Sequence, residues 1–193
     1  MTADVSDAAG NAATQVTSSS FSVDTAASIG AIATSAFSWG AVLNSTEDNS
    51  DGTVTVATSG VEDGQTLTIT LNSATYTASV SSDAASVTIT AAGLQALTNG
   101  SSYTMTADVT DANGNVATQV TSSSFSVDTS APSISAIATS AMSWGAVLNA
   151  TEDNSNGTVT VTTSGVEDGQ TLTITLNGST YTGSVSSLSL IHI

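Results

Sequence analysis

The chain has no lysine, no arginine and no cysteine in 193 residues, and only one proline and one histidine. Each absence excludes something. Grooves that hold nucleic acid need Lys or Arg against the phosphates, so nucleic acid is not expected as a partner. Anionic membrane surfaces attract basic segments, and this chain has none. No run approaches the roughly 20 apolar residues of a spanning helix, so no membrane insertion is expected. Without cysteine, no disulfide braces the fold. A nucleophilic triad needs a base beside the nucleophile, and one histidine with no Cys, Lys or Arg does not read as an enzyme. The 16 acidic residues are therefore uncompensated, giving a formal charge of -16. Such a chain repels itself, and bound cations are the obvious relief. Charged residues make up only 8% of the chain against 39% hydrophobic, which argues for a folded protein rather than an acidic tail.

What is present is a repeat. MTADVSDAAGNAATQVTSSSFSVD from Met1 to Asp24 returns as MTADVTDANGNVATQVTSSSFSVD from Met105 to Asp128. SAFSWGAVLNSTEDNSDGTVTV from Ser35 returns as SAMSWGAVLNATEDNSNGTVTV from Ser140. Self-similarity over a domain-sized period means tandem copies of one module. The expected organisation is the C-terminal part of one repeat at 1–25, a complete repeat at 26–129 and an incomplete following repeat at 130–187. Met1 aligns with Met105, inside a strand-like run, and so reads as an internal methionine. Residues 188–193, LSLIHI, leave the repeat pattern abruptly. They match the translation of CTGTCTCTTATACACATC, a common transposase-adapter sequence, and are read as adapter sequence outside the fold. The only histidine, His192, lies among them.

Alternation of period two dominates the complete repeat. Val54 and Val56 alternate with Thr53 and Thr55, and Leu67, Ile69 and Leu71 with Thr66, Thr68 and Thr70. Dense Thr and Val suit half-buried strands. Asp51-Gly52, Asp63-Gly64, Asn99-Gly100 and Asn113-Gly114 mark turns between them. The pattern predicts strands at 28–33, 53–58, 65–71, 74–80, 86–90, 101–109 and 116–127, with a short helical turn from Ala91 to Leu97. About seven antiparallel strands with turns every 8–12 residues or so indicate an all-β, Ig-like sandwich. If each strand reverses the last, loops 59–64, 81–85 and 110–115 gather at the leading end with linker residue Asp24. Loops 34–52 and 91–100 gather at the trailing end with Asp128.

The acids concentrate in these end loops: Glu47, Asp48, Asp51, Glu62, Asp63, Asp83 and Asp111, with Asp24 and Asp128 on the linkers. Calcium takes 6–8 oxygens from carboxylates, carbonyls and water. Asp111, Asn113 and Asn115 offer oxygens at alternate positions of one tight loop. Glu62 and Asp63, repeated as Glu167 and Asp168, stand at the same end. The spacing is not that of an EF-hand, because Ser122 occupies the place of its bidentate glutamate. The same Asn-Gly and Asp-Gly pairs also suit plain hairpin turns with solvated acids. Two other uses of the surface are open at this stage. Trp39 and Trp144 could stack on sugar in a carbohydrate-binding module or plug the core. Rows such as Thr66, Thr68 and Thr70 could bind ice or follow ordinary strand preference.

SGVEDGQTLTITLNSATYT, LQALTNGSSYTMTADVTDANGN and FSVDTSAP together resemble the bacterial Ig-like modules of giant RTX-type surface adhesins. That group includes the extender modules of biofilm-associated and ice-binding adhesins. The resemblance covers 1–187. It implies a structural spacer on a bacterial cell surface, stiffened by Ca2+ at the linkers. It implies Asp24, Asp128, Asp111, Asn113, Glu62, Asp63, Glu167 and Asp168 as ligand candidates. The implied partners are neighbouring repeats of the same chain, with any host, surface or ice ligand bound only through other domains of the parent protein. The linker DTAAS lacks the proline that Pro132 supplies to the next one.

Overall fold

The computed structural model describes residues 1–186 and 189–192, the latter as backbone. The leading segment has two short strands, β1 (Thr2–Ala3) and β2 (Val16–Thr17). Residues 26–129 carry β3 (Ser28–Ile29), β4 (Val42–Asn44), β5 (Gly52–Ser59), β6 (Thr66–Leu71), β7 (Ala74–Ser79) and β8 (Ala84–Ile89). A helical turn, α1 (Ala91–Gln95), precedes β9 (Ser102–Tyr103), β10 (Met105–Val109), β11 (Val120–Thr121) and β12 (Phe125–Asp128). The last stretch holds β13 (Ser133–Ile134), β14 (Thr158–Val161), β15 (Thr163–Ser164), β16 (Thr171–Leu176), β17 (Ser179–Ser184) and β18 (Ser189–His192). The chain divides into two compact units. One comprises 1–41, 52–90 and 103–125; the other comprises 42–51, 91–102 and 126–193.

In the first unit a four-stranded sheet, β11-β10-β6-β7, lies with a three-stranded sheet, β3-β5-β8. The alternation read from the sequence decides which side chains turn inward. Val54 and Val56 of β5, Leu67, Ile69 and Leu71 of β6, and Val87 and Ile89 of β8 are all buried. The threonines between them face out or lie half-buried. Phe37, Trp39 and Phe125 meet at ring-centroid separations of 5.4 to 5.7 Å, with the first two stacked and Phe125 edge-on to both. Fully burying side chains of this size stabilises by about 1.5–3 kcal/mol each.

The protein is an all-β sandwich, as the alternation predicts, but two of the expected strands are not continuous. The run 101–109 divides into β9 and β10, which belong to different sheets, and 116–127 divides into β11 and β12. The break in the second run falls at Ser122-Ser123-Ser124. There Ser122 Oγ accepts from Met105 N at 2.9 Å, and Ser123 N donates to the Ile32 carbonyl at 2.8 Å. These bonds carry the chain from one sheet to the other. The sequence reading also missed β4, which pairs in parallel with β12: Ser126 faces Val42 and Asp128 faces Asn44. Three residues with a single buried side chain, Leu43, are too short for a period to show.

In the second unit β16 pairs with β17, β13 with β15 and β14 with β18. Val159 stands opposite Ile191, whereas the corresponding pair between β5 and β8 is Val54 opposite Val87, so this pairing is shifted by one residue. Leu188 and Ile193, the first and last residues read as adapter sequence, lie outside the described residues.

Candidate metal centre at the linker

The loop 110–115 is built on one carboxylate. Asp111 is buried, and its Oδ1 accepts the backbone N–H groups of Asn113 at 3.0 Å and Asn115 at 2.7 Å. Its Oδ2 accepts the Asn115 side-chain amide at 2.7 Å. Burial pushes the Asp111 carboxyl up, but the hydrogen bonds from the Asn115 side chain and from the backbone of Asn115, Asn113 and Gly114 outweigh it, and hold it below the usual carboxylate value. Such a turn, closed by the aspartate on its own backbone, is the ordinary mechanism of an Asx turn. The leading segment repeats it. Asp7 accepts from the backbone of Ala9 and Asn11 and from the Asn11 side chain. Asp111 and Asn115 thus shape the loop in both copies.

Asn113 does something that its counterpart Ala9 cannot. Its side-chain amide donates to Asp24 Oδ2 at 2.8 Å and to Glu62 Oε1 at 3.2 Å. The other Glu62 oxygen, Oε2, accepts from Ala112 N at 2.8 Å. Asn115 adds a longer bond of 3.3 Å to the Asp24 carbonyl. Linker residue Asp24, loop residue Glu62 and loop residue Asn113 therefore converge on one point. Asp63 does not join them: its Oδ1 accepts from Ser82 N at 2.8 Å, which closes the turn where Ser82 and Asp83 take positive φ. Gly60 completes the linker seat. A Cβ there would stand 2.2 Å from the Ala26 carbonyl oxygen, so only glycine permits the approach.

Residues 42–51 and 91–102 belong to the second unit. Glu47 Oε2 accepts from Asn44 N at 3.0 Å, while Asn44 Oδ1 accepts from Thr46 and Glu47 N. This is a reciprocal box of the kind that caps helices, and Asn149 with Glu152 repeats it. Its signal, Asn three residues before Glu, was legible in the sequence and was missed there. Asp48 lies half-buried on the 3-10 turn Glu47–Asn49. Asp128 Oδ1 accepts from Ser130 N at 3.1 Å. Glu47, Asp128, Pro132 and Glu167 line one cleft, so the second linker carries the counterparts of Asp24 and Glu62 together. Asp168 is exposed in the turn before β16.

The donor set is one a hard cation can use. Asp24 Oδ2 and Glu62 Oε1 lie 2.8 and 3.2 Å from the same nitrogen, which holds them within about 6 Å of each other. Calcium binding both at about 2.3–2.6 Å needs them within about 5 Å. Half a turn about the last Asn113 torsion would present its Oδ1 in place of the amide. Among the described residues no group of three or more Asp, Glu or His is close enough to hold a metal ion. The site as built therefore offers two carboxylates and an amide, with water for the remaining positions.

Comparison with solved structures shows what this chain is similar to. A Ca2+-stabilized adhesin with which an Antarctic bacterium reaches out and binds ice aligns over 98% of this chain, at 27% identity and TM-score 0.52. A 1.5-MDa bacterial ice-binding adhesin aligns over 100% of it, at 26% identity and TM-score 0.53. The chain is similar to ice-binding adhesin extender modules. It spans 46% and 62% of those two structures. A single bacterial immunoglobulin-like domain from the M. primoryensis ice-binding adhesin aligns with 55% of the chain, at 25% identity and TM-score 0.38. No protein-family profile matches the sequence, and none of the curated proteins does. Trp39 is 5% exposed and stands in the core. Trp144 is packed against the cluster of Val159, Val161, Leu172 and Val185.

Proposed function

We propose that this chain is a run of extender modules from a bacterial surface adhesin, with 26–129 as the complete repeat, and that calcium stiffens it at the linkers. The observation that supports this most is the convergence of Asp24 and Glu62 on Asn113. It ties a linker residue to two loops of the module that follows. Asp24, Glu62 and Asn113 would hold the ion at the first linker, and Asp128 and Glu167, with Glu47 beside them, at the second. Bound there, calcium would supply charge neutralisation between carboxylates of different segments. The chain's own part is to shape the loops: Asp111 and Asn115 fix one, Asp63 another, and Gly60 admits the linker backbone. Extracellular calcium modules bind at about 0.1–1 mM, so the rod would stiffen in calcium-rich surroundings and slacken without it.

The buried Trp39 speaks against a sugar platform, since a stacking face must be open to solvent. Thr68 and Thr70 are half-buried on an inner strand, where strand preference accounts for them. The test is calcium titration by calorimetry, with scattering of the chain in calcium and in chelator. Heat of binding together with a longer, stiffer particle in calcium is expected. A particle of unchanged maximum dimension would sink the reading.

A further inference from the structure

We infer that Asn113 is a deamidation site guarded by the linker: its amide is kept from its own main chain while it bridges Asp24 and Glu62, and it converts to a third carboxylate facing them once the linker lets go. Asn99, Asn113 and Asn177 each precede a glycine. In such a pair no Cβ shields the next backbone nitrogen, and asparagine is among the thermolabile residues. Gly114 N attacks Asn113 Cγ, a C–N bond forms and the Cγ–Nδ2 bond breaks. Nδ2 leaves as ammonia with the proton that Gly114 N gives up. Water then opens the cyclic imide. Cleavage between Cγ and Gly114 N leaves aspartate, and cleavage at the main-chain carbonyl leaves isoaspartate. Either product carries a new carboxylate in place of an uncharged amide.

All three asparagines are exposed, so hydrogen bonds, not burial, rank them. Asn99 is held at every group the reaction needs. Its Oδ1 accepts from Thr129 N, its Nδ2 donates to Ser130 Oγ, and Gly100 N donates to the Val127 carbonyl, each at 2.8 Å. Asn177 is the opposite case. With Gly178 it fills the two-residue turn between Leu176 and Ser179, and its side chain makes no hydrogen bond among the described residues. Asn113 lies between the two. Gly114 N donates to the Asp111 carbonyl at a longer 3.3 Å, and the space beside Gly114 is open. What restrains Asn113 is its own amide, held by Asp24 at 2.8 Å and by Glu62 at 3.2 Å. To reach Gly114 N the side chain must turn back and give up both bonds. The linker contact is thus the catch on the reaction. Among the described residues no three acids are close enough to hold a metal ion, and aspartate at this position would supply a third beside Asp24 and Glu62. That consequence rests on the calcium reading of the linker, whereas the conversion itself does not. Isoaspartate would instead lengthen the main chain between Asp111 and Asn115, whose N–H binds Asp111 Oδ1 at 2.7 Å, and so loosen the loop.

The test ages the full chain in mildly alkaline buffer with chelator and follows each asparagine by peptide mass spectrometry. Asn177 should convert fastest, Asn113 next and Asn99 slowest. Asp24→Ala should speed Asn113 about three- to tenfold, the factor that one hydrogen bond holds back, and leave Asn177 unchanged. Glu62→Gln should act in the same direction. Unfolding would free Asn99 as well, so the ratio of Asn113 to Asn99 separates a released linker from lost structure. Asn113 still intact when Asn177 has fully converted would overturn the inference. So would an Asn113-to-Asn99 ratio that Asp24→Ala leaves unchanged. No calcium enters these rates. Asn113→Asp, the aspartate product made directly, should then bind calcium about tenfold tighter than the unmodified chain. If neither binds calcium, the calcium reading of the linker fails and the conversion rates stand.

Discussion

Asn113 holds Asp24 at 2.8 Å across 89 residues of sequence. In a chain without lysine or arginine, its amide donates to two acids, Asp24 and Glu62. Replacing Asn113 with Ala should cost about 0.5–1.5 kcal/mol and speed hydrogen exchange at residues 24–27. Replacing it with Asp should separate the two roles of the position. A third carboxylate should lower the melting temperature in chelator and raise calcium affinity. If Asn113→Asp binds calcium no better than the original chain, this is not where the ion sits.

Gly60 has φ of +68° and almost touches the Ala26 carbonyl. Gly60→Ala combines a strained backbone with that contact and should destabilise by about 1–3 kcal/mol. Gly165, at +70°, has only Pro132 Cα at 3.6 Å, so Gly165→Ala should be milder. Melting curves of the two variants compare them directly, and equal losses would contradict the close approach at the first linker.

Stability should fall in acid through Asp111. Its folded value is depressed below 3.8, so the unfolded chain takes up the proton first as pH falls. The stabilisation is complete above about 4 and is lost progressively as pH drops through the folded value. Asp7 is shifted in the same direction by its bonds to Asn11. Asp111→Asn should flatten that part of the stability profile. An unchanged profile below pH 4 in the variant would show that the loop does not depend on the charge.

The core that holds Trp39 and Leu67 should be the most costly place to cut. Trp39→Ala should lose about 3–5 kcal/mol and Leu67→Ala about 2–5 kcal/mol. Phe21→Ala, the same chemistry at an exposed position, should stay within about 0.5 kcal/mol. Chemical denaturation of the three variants tests the ranking. Loss at Phe21 comparable to that at Leu67 would mean that the leading segment already has a packed core.

The strands with long alternation were legible because period two survives over six or more residues, as in β5, β6 and β8. The gathering of loops 59–64 and 110–115 around Asp24 followed from strand direction alone. What escaped was short or made by backbone. β4 buries only Leu43, and the crossing at Ser122 to Ser124 depends on bonds to Met105 N and the Ile32 carbonyl, neither of which leaves a pattern. The sequence also ranked Asp111 beside Asn113 as equal oxygen donors, since spacing cannot say which way a side chain turns. In the structure Asp111 turns in toward its own loop and Asn113 turns out to the linker.

The loop closed by Asp111 and Asn115 has a counterpart at Asp7 and Asn11, in a segment whose hairpin is otherwise bare. A turn that assembles from its own atoms is ready before any neighbour arrives. The entropy of forming the socket is then settled locally, and seating a linker has only to immobilise the few residues around Asp24. Joints of that kind can be added one after another along a chain without each new one having to remake the last.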